Sequence, residues 1–235
     1  MLLDYNVDPN MAGKDKSKST ALHVAAQNGD SDCVKILVLY KANVDMQLAA
    51  GSTPLTLAAQ DGALDVVEKL LDARASVDPA GGHHISALYI AAQHKHKEVI
   101  KTLMAAGADP VRVATQTRHS PLSAIMTVWK DFVTLETILD IEPTLVGKKI
   151  NQGETPLEHA VFSAIETERG SDDGQHWRKV ISLLLQHKAN PNVVIQCVPR
   201  GIGHSTTGYS PPGYRAFNQR EEREGAKGIV SVRER

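Results

Sequence analysis

Histidine is the residue here whose type and spacing could most readily do chemistry. The chain has ten histidines in 235 residues. Two groups lie close in sequence, His83-His84 and His94-Lys95-His96. Neutral imidazoles held together can bind a transition metal. A zinc site needs further ligands at set steps, and neither Cys-x-x-Cys nor His-Glu-x-x-His occurs. Gly201-Ile202-Gly203 is an isolated Gly-x-Gly with no strand before it, too little for a phosphate cradle. Ser205 stands beside His204 but has no third partner to make a nucleophile. The two cysteines, Cys33 and Cys197, are far apart and offer no disulfide framework. The residues therefore nominate no catalytic group, no metal and no cofactor, and a non-enzymatic role is expected. Cysteine usage favours a reducing compartment, the cytoplasm, with the nucleus as the alternative.

A repeated phrase shows which elements must position the remaining side chains. Thr20-Ala21-Leu22-His23 returns as Thr53-Pro54-Leu55-Thr56, Ser86-Ala87-Leu88-Tyr89, Ser120-Pro121-Leu122-Ser123 and Thr155-Pro156-Leu157-Glu158. The steps are 33, 33, 34 and 35 residues. A period of this size marks a solenoid, whose units cannot bury their own apolar faces and must stack. Each Thr or Ser sits where a helix should start, its hydroxyl ready to accept from the first-turn N–H groups. Pro54, Pro121 and Pro156 follow at the first helical position, where a missing N–H costs nothing. Paired alanines, Ala25-Ala26, Ala58-Ala59 and Ala91-Ala92, let a second helix lie close. Gly29 and Gly62 end the first helix by supplying positive φ. Val34, Leu37 and Val38 then match Val67, Leu70 and Leu71, and next Ile100, Leu103 and Met104, as one apolar helical face. Links such as Lys41-Ala42-Asn43, Arg74-Ala75-Ser76, Gly107-Ala108-Asp109 and Lys188-Ala189-Asn190 reverse the chain. Gly107 shows what the first link position wants, so Lys41, Arg74 and Lys188 are expected at positive φ.

This order of helix, tight turn, helix and hairpin-like link resembles the ankyrin repeat over roughly residues 20 to 192. The resemblance implies an all-α ankyrin-repeat solenoid of stacked helix-turn-helix units, about five in number. It implies a structural hydrogen-bonding role for His23. It also implies that Asn192, matched by Asp45 and Asp78 in other units, occupies a place where asparagine is hydroxylated in some family members. The family binds proteins through its link tips and the exposed flank of its first helices. A protein-interaction scaffold without catalysis is thus the expected function; the alternative is a regulatory segment of a larger multidomain enzyme or channel.

The array is irregular in places. Lys95 stands where Gly29 and Gly62 stood, and Trp129 is aligned with the same place one unit on. A polar insert near 166–176 is expected as a loop in the fifth unit. Trp177, just after it, is expected to pack. Residues 1–19 read as an incomplete unit with its link, 20–195 as the repeat domain, and 196–235 as a tail without apolar periodicity, expected to be disordered. The start of the chain fits a frayed first unit or a piece of a longer protein. Residues 196–235 carry net +3 and the rest −4, which argues against a nucleic-acid groove. No apolar run approaches a membrane span. A monomer, or part of a larger chain, is expected. Cys33 aligns with Val66 and Val99 and is expected to be buried as they are.

Register then selects the protein-binding face. The expected contact residues are Ser52, Gln60 and Asp61; His83, Ile85, Gln93 and His94; and Gln116, Thr117, His119 and Trp129. Trp129, His83 and Ile85 are the expected anchors, because interface energy concentrates in a few central side chains.

Overall fold

Every first helix begins at its Thr or Ser cap. In the computed structural model, which describes residues 8–14, 16–78, 85–113, 119–150, 153–166, 172–195 and 230–232, α1 spans Ala21–Gln27, α3 Pro54–Asp61, α5 Ala87–Gln93 and α7 Pro121–Thr127. Thr53 Oγ1 accepts from the Thr56 N–H, Ser86 Oγ from Tyr89 and Ser120 Oγ from Ser123. In the first helix His23 works in reverse. Its Nδ1 accepts the Thr20 N–H at 3.2 Å, so the proton sits on Nε2, which donates to Met46 O at 2.9 Å. One side chain thus caps α1 and holds the following hairpin. Burial holds its pKa below the ordinary imidazole value.

The second helices are α2 (Ser31–Leu39), α4 (Leu64–Asp72), α6 (Lys97–Ala105) and α8 (Phe132–Ile141). Each packs on its own first helix, and like helices stack from one pair to the next through the first compact unit, Met1–Glu154. The core is a row of near-identical layers: Leu22, Ala26, Val34; Leu55, Ala59, Leu70; Leu88, Ala91, Leu103; Leu122, Ile125, Ile138, all at most 1% exposed. The turn positions behave as the register requires. Gly29, Gly62 and Gly107 have positive φ, and so do Lys41, Arg74, Lys95 and Lys188.

Links are tied to one another by side chains. Asn10 Oδ1 accepts from the Asn43 N–H at 2.6 Å, Asp45 from Ser76 at 2.7 Å, and Asp78 from Asp109 at 2.8 Å. Asp78 is half-buried there, and burial raises its pKa, opposed by the Asp109 N–H and by Arg112 at 3.6 Å.

In this unit two expectations are corrected. Cys33 is exposed, not buried. Val66 and Val99 are covered because α2 and α4 precede them, whereas no described helix pair precedes α2. The turn slot of the fourth pair belongs to Lys130 (φ 49°), not Trp129, because the extra residue lies in that turn. Beyond α8 a 3-10 turn, Pro143–Gly147, replaces the usual link.

In the second compact unit, Thr155–Arg235, α9 (Pro156–Glu166) packs on α10 (Asp172–Gln186). Thr155 and Glu158 cap α9 reciprocally, at 2.7 and 3.3 Å. Trp177 is buried, with its ring edge-on to His159. Helix α10 reaches back to Asp172, into the segment expected as a loop. A short strand β1 (Val193–Ile195) pairs in parallel with β2 (Val230–Val232). The rest of the expected tail lies outside the described residues. No helix among the described residues is long and apolar enough to cross a membrane.

Candidate functional site

The side of α1, α3 and α5 turned away from the second helices carries two rows at a 33-residue step. One is polar: Gln27, Gln60 and Gln93, all exposed. The other is apolar: Val24, which is 49% exposed, then Leu57 and Ile90, half-buried by their stacked neighbours. By contrast, while α2 exposes Ile36 and Leu39 and α8 exposes Val133 and Ile141, the solvent side of α4 and α6 is charged, with Glu68, Lys69, Lys97 and an exposed Glu98–Lys101 pair at 2.8 Å. Such an exposed pair adds little stability. From α3 to α6 the two sides of the stack are therefore chemically different.

Between α3, α5 and the tip of the second hairpin (residues 41–53; the first is residues 8–19, ahead of α1) lies a cavity of about 70 Å³. Leu57, Ile85 and Ile90 line it with apolar surface, and Ser52, Thr56 and Gln60 supply polar groups. The Thr56 hydroxyl donates to Thr53 O at 2.8 Å and accepts the Thr53 N–H at 2.8 Å, which fixes that wall. Three residues selected by register, Ser52, Gln60 and Ile85, thus come together around one hollow. Asp61 follows Gln60, exposed at the end of α3.

At the end of α5 the exposed His94 ring stacks on His96, centroids 5.9 Å apart. His96 Nε2 donates to Gln60 O at 3.0 Å, binding one first helix to the next turn. Its ring also lies where a Cβ on Gly62 would be, 2.5 Å away. Trp129 is partly buried, its ring 4.8 Å from Tyr89 and edge-on at 71°. It both packs and shows a face. His119 is half-buried at the base of the fourth unit. His83, Gln116 and Thr117 lie outside the described residues. Among the described residues no group of three or more His, Cys, Asp or Glu side chains is placed to hold a metal.

Sequence reasoning passed over Val24, Leu57 and Ile90. Their signal was present: an apolar residue four positions after each cap, in register with the glutamines three positions further on.

A family model described as ankyrin repeats (3 copies) matches residues 1–80 and 22–114. No curated protein matches the chain. Among solved structures, the human ASB11 ankyrin repeat domain is similar at 24% identity and a TM-score of 0.59, over 81% of this chain and 77% of that one.

Proposed function

We propose that this chain, which belongs to the ankyrin-repeat family, captures a protein partner along the flank of its first helices and carries out no chemistry of its own. The observation that carries this reading is the pair of rows on α1, α3 and α5. Apolar side chains of 33-residue period lie there beside uncharged amides, while the solvent sides of α4 and α6, behind α3 and α5, are charged. Burying apolar surface drives association, and amides at the rim give it direction. The contact set is Ser52, Gln60, Asp61, Ile85, Gln93, His94, His119 and Trp129, with His83, Gln116 and Thr117 joining by register. Trp129, His83 and Ile85 are its anchors. Tyr89 supports the Trp129 ring from behind, so little side-chain freedom is lost on binding.

A photo-crosslinking amino acid placed singly at Gln60 and Gln93, and for comparison at Glu68 and Lys101, tests the reading. Irradiation in an extract of the source cells should give a protein adduct from the first two positions. The triple change His83→Ala, Ile85→Ala and Trp129→Ala should abolish that adduct while helical circular dichroism holds. Adducts from Glu68 and Lys101 alone would overturn the proposal.

A further inference from the structure

We infer that the cavity between α3, α5 and the second hairpin receives one small branched aliphatic side chain of an extended acidic segment, whose carboxylates lie over the first hairpin. This deepens the preceding reading and rests on it. Size sets the first term. At about 70 Å³ the hollow is about half the ~150 Å³ void that admits benzene, so a valine- or isoleucine-sized group fits it better than an aromatic ring. Its apolar walls, Leu57, Ile85 and Ile90, suit such a group. The carboxamide of Gln60 at the rim offers a donor and an acceptor, and Gln93 repeats it one unit on. Each carboxamide can pair with one peptide group of an extended segment.

Charge sets the direction. Ala50 lines the cavity, and its neighbour Ala49 donates its N–H to Ser17 O at 3.0 Å. Ser17 stands between Lys16 and Lys18, and with Lys14 these lysines are exposed. The stretch from Lys14 to Lys18 includes Asp15 and carries net +2. At the other end of the cavity Gln60 is followed by exposed Asp61. The chain that flanks the hollow is therefore basic at the first hairpin and acidic at the end of α3. A partner's carboxylates are drawn over the hairpin and repelled near Asp61. Exposed charges of this kind are screened by salt and act more on register and association rate than on raw affinity.

The test is selection of displayed random peptides on the immobilised full-length chain. Winners should carry a single Val or Ile next to several Asp or Glu. Synthetic winners, measured by fluorescence anisotropy, should bind the Ile90→Phe variant roughly tenfold more weakly, because the added ring fills the hollow. The double variant Lys16→Glu, Lys18→Glu should lose about as much at low salt and little at high salt. Those lysines are exposed, so the test survives a folding defect in Ile90→Phe. Basic or aromatic winners, no winners, or unchanged binding by the lysine variant would overturn the inference. Equal displacement of the peptide by a polyuridylate strand would also overturn it, since that is a bare polyanion site. If adducts still form at Gln60 and Gln93, the flank remains the capture surface and only the occupant named here is lost. Adducts confined to Glu68 and Lys101 would remove both.

Discussion

Between α3 and α4 the chain turns through Gly62 and Ala63, whereas between α7 and α8 it needs Val128, Trp129, Lys130 and Asp131. The shorter turn uses glycine for its positive φ, and the longer one uses Lys130. The links differ as well. Asp45 and Asp78 reach from one hairpin to a backbone N–H of the next, while the fourth link is a 3-10 turn closed at its mouth by Glu142. Glu142 accepts from Lys148 at 2.6 Å and from Thr144 at 3.1 Å, and Lys148 foremost holds its pKa below the ordinary carboxylate value. Yet the buried layers scarcely change: Leu55 and Leu70 in one, Leu122 and Ile138 in the other. Turn chemistry is local and can be replaced. The core layer is set by neighbours on both sides and cannot be.

If that is right, Leu55→Ala and Leu122→Ala should cost about the same, roughly 3 kcal/mol each, since both side chains are fully enclosed. Urea midpoints of the two variants would show it, and a much milder loss at Leu122 would mean that the fourth pair is loosely stacked. Glycine turns should differ among themselves. Gly62→Ala meets both positive φ and the His96 ring, and should cost ~2 kcal/mol. Gly107→Ala, with nothing within 4 Å of its added Cβ, should cost nearer ~1 kcal/mol. Equal losses would remove His96 from the account of this turn.

Mild acidity probes the first unit, where His23, alone among the described residues, joins a cap to a hairpin by both ring nitrogens. Its folded pKa lies below the unfolded one, so the folded state holds the proton less readily. The stability it contributes is fully present above the unfolded value and is lost as pH falls through the folded value. The urea midpoint should therefore drop on acidification from neutral pH, and His23→Gln should flatten that drop. An unchanged slope in the variant would count against the role given to His23. The smallest effect belongs to Arg74, at φ 63°. Arg74→Gly relieves strain of at most ~1 kcal/mol and gives some of it back through greater freedom of the unfolded chain. A neutral or slightly raised midpoint is expected, and a clear fall would contradict the turn geometry.

What could be read beforehand followed from interactions a few residues long. Caps, N1 prolines and turn glycines obey local hydrogen bonding and backbone sterics, so their positions were legible one by one. Even the positive φ of Lys41, Arg74 and Lys188 could be inferred, because Gly107 shows what that slot demands. Side-chain environments were not legible in this way. Cys33 shares a slot with Val66 and Val99, but burial at that slot comes from the helix pair before it. Trp129 is oriented by Tyr89, 40 positions earlier.

The amino-acid sequence by itself determined the repeat, its period, the helix ends and the stacked core, because each unit restates the same short-range rules. Tertiary structure alone decided that Ser52, Gln60 and Ile85 border one hollow with Leu57 and Ile90. Those residues come from two helices and the two links that precede them, and no local pattern encodes the space left between them. That space is what remains after neighbouring units have packed, so it is a property of the stack and not of any one repeat.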